Sequence, residues 1–318
     1  MRIPRWCFFF DFHTMPACPD VGTRWDADRL ADQAAGAGAD WMTFPAKCNL
    51  GMAYYPTRVG TPHPALAQAK SGDLVGDLLA ACHRRGMGFS AYLNVGLIHE
   101  QLLRHREWEA AAPPDAPYPA DRLNSFFRKP CLNTGYRDWQ LAMVREVAER
   151  YPVDGMFFDC LHARPCVCPE CVRRMKAEGI DWRDAEQAFL FNQRTILEVC
   201  RAIRETVLAI RPEAQLFFNG PEYSDLRGIA TCLEYECLPN GGWGYDALPV
   251  YGHYLRNLGM PVVNMTARFH HSWSDFGGIC PKESLMRDCV CGLANAVDGT
   301  TIGDHLHPRG ELPAPVAR

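Results

Sequence analysis

No stretch of eighteen apolar residues occurs in the 318-residue chain, so none of its helices is expected to cross a bilayer. The N-terminal run Phe8-Phe9-Phe10 is cut off by Asp11 and His13 and has no small-residue cleavage site, so it is not read as an export signal and the chain is expected in the cytoplasm. Charge of one sign is missing too. With 33 basic and 37 acidic residues there is no basic face for nucleic acid and no acidic tail. Lysine is scarce: Lys47 is one of only five. No glycine fingerprint follows the first predicted strand, which argues against a nucleotide-binding sheet and leaves no organic cofactor expected. What the chain does have is 47% hydrophobic residues, enough for a large core, and fifteen cysteines. Without an export signal, an odd number of cysteines reads as thiols or metal ligands before disulfides.

Short apolar runs bounded by polar loops recur along the whole chain and alternate with helical periodicity. Strands are expected at Trp6–Phe12, Trp41–Ala46, Phe89–Val95, the run ending at Asp159, Leu216–Phe218, Cys232–Leu238, Val262–Thr266 and Thr300–Ile302. Asp26 and Asp73 are placed to start helices that Gly36, Gly38 and Gly86 close, and longer helices are expected over Tyr136–Arg150 and about Ala185–Ile210. Eight strands with helical crossovers predict an α/β fold, a (β/α)8 TIM barrel, formed by residues 1–318 as a single domain. After the eighth strand no room remains for a last helix, so the barrel is expected to lack it in this chain, which then reads as the N-terminal part of a longer protein.

In such a barrel, catalytic side chains gather at the C-terminal ends of the strands. Asp159 ends the run Val153-Asp154-Gly155-Met156-Phe157-Phe158-Asp159, which makes it a candidate catalytic carboxylate; its alternative role is to cap the following turn. Glu234 and Glu236 stand two apart near the end of the sixth strand and so share a face. Two carboxyls across one mouth are what glycoside hydrolysis requires. Glu236, nearer the strand end, is the expected general acid/base, with Glu234 as a hydroxyl or proton-network partner; the alternative is a buried Glu bridging to Arg268 or Lys47. Trp243, Trp273, Tyr54 and Phe269 offer planar surfaces for a sugar ring, and His13, Lys47, Asn49, Asn94, Asn219, Arg268, His270, Asp304 and His305 lie at or just past strand ends as hydroxyl partners. Cys166-Val167-Cys168-Pro169-Glu170-Cys171 has a spacing that lets three thiolates converge on one zinc ion, with Cys131 or Cys160 as the fourth ligand. Four thiolates leave no open position, so the Zn2+ would be structural.

Several of these stretches resemble known families. Arg128-Lys129-Pro130-Cys131-Leu132-Asn133 followed by the C-x-C-x-x-C run resembles the zinc site of family 42 β-galactosidases, and that likeness selects Cys131 over Cys160. Thr43-Phe44-Pro45-Ala46-Lys47-Cys48-Asn49-Leu50-Gly51 is similar to the second-strand motif of family 29 α-L-fucosidases, with Cys48 and Asn49 where that family has paired histidines. The Asp159 strand is similar to their nucleophile strand, which implies that Asp159 is the nucleophile. Across the whole chain the resemblance is to glycosyl-hydrolase-like barrels related to family 151 α-L-fucosidases. It is carried by Glu234-Tyr235-Glu236-Cys237-Leu238-Pro239, Gly241-Gly242-Trp243-Gly244-Tyr245-Asp246, Thr266-Ala267-Arg268-Phe269-His270, Ser272 to Gly278 and Gly303-Asp304-His305-Leu306-His307-Pro308. The likeness implies an exo-acting hydrolase, α-L-fucosidase-like or β-galactosidase-like, acting on a carbohydrate, and a homo-oligomer built through a downstream domain; retention is expected of carboxyls about 5 to 5.5 Å apart and inversion of a gap of roughly 6.5 to 9.5 Å.

Two other classes fit the same fold. A metal-dependent TIM-barrel hydrolase would draw ligands from His270, His271, Asp275, Asp304, His305 and His307. Against it, Asp11-Phe12-His13 lacks the second histidine of an H-x-H after the first strand. A catalytically inactive sugar-binding barrel is the other.

Overall fold

The computed structural model describes residues 1–113, 128–273 and 278–312. Eight parallel strands form the barrel: β1 (Trp6–Asp11), β2 (Trp41–Lys47), β3 (Gly88–Asn94), β4 (Gly155–Asp159), β5 (Gln215–Phe218), β6 (Leu233–Glu236), β7 (Val262–Ala267) and β8 (Gly299–His305). Their hydrogen-bonded order is β5-β4-β3-β2-β1-β8-β7-β6, so the first and last strands of the chain pair, Trp6 opposite Thr300 through Asp11 opposite His305. Every strand expected from the sequence is present, with no end shifted by more than three residues. All fifteen cysteines are free of disulfides. Among the described residues, no helix is long and apolar enough to cross a membrane.

The helices are α1 (Ala27–Gly36), α2 (Leu74–Arg84), α3 (His99–Arg104), α4 (Tyr136–Arg150), α5 (Pro169–Ala177), α6 (Ala185–Leu208), α7 (Ala247–Leu255) and α8 (Lys282–Ala294). Asp26 caps α1 as expected, and Asp73, read from the sequence as the first residue of its helix, caps α2; their carboxylates accept from the Arg29 and Gly76 amides at 3.0 and 2.7 Å. No helix follows β8 among the described residues. A second departure from strict alternation lies between β5 and β6, where turns alone join the strands. That is also the seam at which the two strands form no ladder. Thr231, just before β6, bridges it: its amide donates to the Leu216 carbonyl at 3.0 Å, and its hydroxyl accepts from the Leu216 amide at 2.6 Å. Outside the seam Tyr223, Tyr235 and Tyr251 pack together, the last two stacked 4.1 Å apart.

Side chains alternate in and out along each strand. Phe9, Tyr92, Phe157, Phe217, Cys232 and Met265 fill the barrel interior, while Phe10, Met42, Phe44, Leu93, Phe158 and Phe218 face the helices. The interior aromatics interlock, with Phe9 5.2 Å from Tyr92 and Phe157 4.7 Å from Phe217. This plug leaves the interior solid, so chemistry is confined to the rim at the C-terminal ends of the strands.

A candidate active site at the strand ends

Asp159 is the last residue of β4, and the alternation that turns Phe157 inward turns its carboxylate inward as well. Three donors reach it. The Tyr92 hydroxyl donates to Oδ2 at 2.6 Å, the Asn219 amide to Oδ1 at 2.9 Å, and the Cys160 backbone N–H to Oδ1 at 2.7 Å. Asn94 stands behind Tyr92, donating to its hydroxyl at 2.9 Å, so β3, β4 and β5 all contribute to one acceptor. A carboxylate surrounded by donors alone has the hydrogen-bond pattern of the ionised form.

Glu236 ends β6 on the same rim. Burial pushes its carboxyl up to about 7, the charge of Asp159 adds to that rise, and the Trp273 indole opposes it. One acid is thus held among donors and the other pushed toward neutrality, the asymmetry that assigns opposite roles to paired carboxyls. Glu234 lies one step lower. It is 5% exposed and lines a small cavity of about 10 Å³ at the barrel floor with Cys7, Thr43, Ser90, Gln215 and Thr301. Its Oε1 has no hydrogen-bond partner. Burial pushes its carboxyl up to about 8, against the Thr301 hydrogen bond and with the help of the Glu236 charge.

The remaining candidates divide. Asn94, Asn219 and His13 gather near Asp159: the His13 ring is 5.5 Å from Tyr92, and its Nε2 lies 3.1 Å from Asp11 Oδ1. Burial depresses His13, but the Asp11 carboxylate, a contact with Cys48 and the charge of Asp159 outweigh it, so its net shift is upward. The Asn49 amide donates to His13 Nδ1 at 3.4 Å, while its side-chain Oδ1 is buried without a partner. Trp273 packs over the plug, 5.5 Å from Phe9 and 5.0 Å from Phe269. It fits there because residue 303 is glycine, whose Cβ would lie 2.3 Å from the indole. His305 stacks on Phe269 at 5.5 Å.

Other candidates sit elsewhere. The β2–β3 ladder slips between Pro45 and Lys47, which leaves Lys47 opposite the outward-facing Leu93. Its ammonium is completely buried on the helix side, 3.3 Å from the Tyr136 hydroxyl and 5.3 Å from the Trp139 ring centroid, and burial lowers it to about 7. It therefore offers no accessible surface to a sugar. Tyr54, also without exposed surface, is a core residue packed on Phe12 and Phe44 that donates to the Phe12 carbonyl. Arg268 and Asp304 face each other at 3.4 Å, Asp304 opposite the outward Phe10, and burial pushes Asp304 up to about 6 against the opposing pull of Arg268. Trp243 and His270 are exposed on the loops after β6 and β7. Sequence reasoning missed Tyr92 and Asp11. The strand period would have found Tyr92, since it shares a face with Asn94 two residues on.

The cysteine cluster is assembled. Cys131, Cys166, Cys168 and Cys171 are all buried, and their sulfurs lie within 4.8 Å of one another. Cys131 Sγ is 3.4 Å from Cys171 Sγ and 3.5 Å from Cys168 Sγ. Four sulfurs at about 2.3 Å from one ion would stand about 3.8 Å apart, so the donor set fits a tetrahedral metal. Asn133 supplies the outer hydrogen bonds, its backbone N–H 3.4 Å from Cys131 Sγ and its side-chain amide 3.3 Å from Cys171 Sγ. Cys160 is instead at the Asp159 rim, beside Asn94. Among the described residues this is the one His, Cys, Asp or Glu group able to hold a metal; Asp275, a ligand in the metal-hydrolase alternative, lies outside them.

The geometry agrees with the comparisons. Residues 26–160, from the start of α1 to just past Asp159, match the family described as hypothetical glycosyl hydrolase 6. The α-L-fucosidase isoenzyme 2 from Paenibacillus thiaminolyticus superposes with a TM-score of 0.90 at 29% identity, over 99% of this chain and 48% of that one. The likeness is to glycosyl-hydrolase barrels. This chain spans about half the length of that fucosidase. A β-galactosidase from the Antarctic haloarchaeon Halorubrum lacusprofundi shares the fold alone, with a TM-score of 0.66 at 14% identity over 95% of this chain and 53% of that one. The α-L-fucosidase isoenzyme 1 from the same Paenibacillus does likewise, at 0.60 and 16% over 98% and 70%. No curated protein matches the chain.

The buried Glu234 makes a stability prediction. Its folded-state value of about 8 lies above its ordinary 4.5, so the native state holds a proton that the unfolded chain releases, and stability falls as pH rises from about 5 to about 8. Glu234→Gln removes that loss. Thermal melts should show the variant gaining little at pH 5 and most at pH 8, on the order of 4 kcal/mol; a gap that stays constant with pH would show that Glu234 is not buried as a neutral acid.

Proposed function

We propose that this chain is an exo-acting glycoside hydrolase that releases a terminal sugar by retaining double displacement, with Asp159 as nucleophile and Glu236 as general acid/base. The observation that carries the reading is the pair itself: a carboxylate fixed by three donors on β4 and a carboxyl held near neutrality on β6, both at the one rim the packed interior leaves open. Glu236 donates its proton to the glycosidic oxygen as Asp159 attacks the anomeric carbon, and the bond to the leaving group breaks. In the second half, Glu236 takes a proton from water as that water displaces Asp159. Glycoside hydrolases of this kind hold the two carboxyls about 5 to 5.5 Å apart. Glu234, directly beneath, is the network partner.

The likeness to a Paenibacillus α-L-fucosidase supports a fucoside as the substrate, with β-galactosides next in line. Trp273 is the proposed platform for the ring, and Asn94, Asn219, His13 and His305 surround it. Zinc is the proposed occupant of the four cysteines. Bound there it would tie the loop after β3, which carries Cys131, to the loop after β4, which carries the other three.

A panel of nitrophenyl glycosides, fucosides and galactosides first, tests the reading. Turnover should fall at least 1,000-fold in Asp159→Asn with sugar binding retained, and kcat should decline as pH rises above about 7, where Glu236 loses its proton. Binding without turnover in the unmodified protein would favour a sugar-binding barrel instead. Elemental analysis should find one zinc per chain, lost in Cys131→Ser together with thermal stability, while mild chelation leaves activity unchanged because four thiolates close the site. Activity abolished by mild chelation would point to a catalytic metal.

A further inference from the structure

The segment Asn240-Gly241-Gly242-Trp243-Gly244-Tyr245, in the loop that leaves β6 after Glu236, contributes nothing to the pair of carboxyls themselves. Gly242 and Gly244 both take left-handed φ, +107° and +76°, so Trp243 is displayed on a turn between two residues that can make it without strain. The indole is 37% exposed. A lone exposed aromatic is ordinary on a protein surface. This one stands on a turn that its neighbours hold still.

Within the turn, the Gly241 amide donates to the Leu238 carbonyl at 2.8 Å and the Tyr245 hydroxyl donates to Asn240 Oδ1 at 2.9 Å. At its root, the Cys237 amide donates to the Met265 carbonyl of β7 at 2.7 Å. From α8, Arg287 donates to the Tyr245 carbonyl at 2.9 Å, and its guanidinium covers the Tyr245 ring at 4.4 Å. The loop after β7 closes on the turn as well: a Cβ on Gly241 would lie 2.6 Å from the His271 carbonyl oxygen and 2.9 Å from the Trp243 ring. Tyr245 is thus occupied by Arg287, and Trp243 is the plane left open.

Its position gives that plane a use. When a glycosidic bond is cleaved between Asp159 and Glu236, the transferred sugar sits against the nucleophile and the leaving group sits on the side of the acid that protonates it. The acid ends β6, and the walls beside it are the loops after β6 and its ladder partner β7. Those loops carry Trp243 and the exposed His270 and His271, whose rings are 4.3 Å apart. An indole offers a flat apolar face to the C–H side of a pyranose, and imidazoles can bond its hydroxyls. A plane fixed before binding also loses little freedom when the ligand arrives.

We propose that Trp243 is the floor of a leaving-group subsite, and that the substrate class is an oligosaccharide, a glycoside whose leaving group is itself a sugar. The proposal rests on the reading of Asp159 and Glu236 as the hydrolytic pair, and adds the half of the substrate that departs.

Substrates that share the transferred sugar and differ in what leaves test it. One is the glycosyl fluoride, whose leaving group has no ring; the others are disaccharides with glucose, galactose or N-acetylglucosamine as the leaving sugar, each in the fuco and galacto series. The ratio of kcat/KM for disaccharide to kcat/KM for fluoride removes changes common to both. For the best disaccharide that ratio should fall on the order of 10-fold in Trp243→Ala, mainly through KM, and by as much in Trp243→Leu, which keeps apolar bulk without a plane. Trp243→Phe, which keeps a plane, should hold it within about threefold. A ratio unmoved in Trp243→Ala overturns the proposal, as does a fall in Trp243→Phe equal to that in alanine. Turnover of a fluoride with none of the disaccharides overturns the subsite alone. If the unmodified protein turns over neither kind of substrate in either series, the hydrolytic reading fails and the subsite fails with it.

Discussion

An aspartate at a strand end can rotate about two bonds, and its usefulness as a nucleophile depends on which of those rotamers it occupies. Here the choice is made by hydrogen bonds from three consecutive barrel strands meeting on two oxygens. Each donor is itself held: Tyr92 by Asn94 and the aromatic plug, Asn219 by the Phe158 carbonyl, which accepts from its backbone amide at 2.8 Å, and the Cys160 amide by the other end of its own peptide plane, the Asp159 carbonyl, which accepts from the Val95 and Gly96 amides at 3.0 and 3.2 Å. Preorganisation of this kind is achieved during folding, so no reorganisation remains to be done when charge develops on the substrate.

The rest of the barrel can be understood as support for that arrangement. The aromatic interior leaves the rim as the accessible end, and the seam between β5 and β6 puts the least regular part of the wall next to the strand that carries Glu236. Burying two glutamates in β6 is costly, and the cost is met by keeping both near neutrality. The four clustered cysteines come from the loops before and after β4 and meet within 4.8 Å. Cys168 sits at the N-terminal end of α5, where the helix dipole favours a thiolate.

Much of this was legible in the sequence. Eight apolar runs, the Asp26 cap and a C-x-C-x-x-C spacing need only local periodicity and local chemistry, and the eight strands and three of the four clustered cysteines follow from them; the fourth, Cys131, came from a family resemblance, since spacing alone left Cys160 equally open. What was not legible depends on register. Lys47 is turned to the helix side by a one-residue slip in a ladder, which shows in neither composition nor periodicity. Tyr54 reads as a sugar platform in an aromatic loop, yet the chain after β2 turns back so that Ala53 pairs antiparallel with Lys47 and Met52–Ala53 pairs with Thr61–Pro62, which folds Tyr54 into the core. Arg268 and Asp304 pair because their strands stand side by side with both positions facing outward, a consequence of the β7–β8 register. The missing helix between β5 and β6 was hidden for another reason: the turns there carry enough apolar residues, Leu226 and Ile229 among them, to pass for a crossover.

The central claim is that Asp159, oriented by its neighbours, attacks the anomeric carbon. The most direct measurement is to react the protein with 2-deoxy-2-fluoro glycosyl fluorides of the fuco and galacto series, which slow the second displacement, and to map the adduct by mass spectrometry of peptic peptides. The account predicts one sugar per chain on Asp159. A label on Glu234, Glu236 or any other carboxylate, or steady turnover of an aryl glycoside with inversion and no adduct, would contradict it.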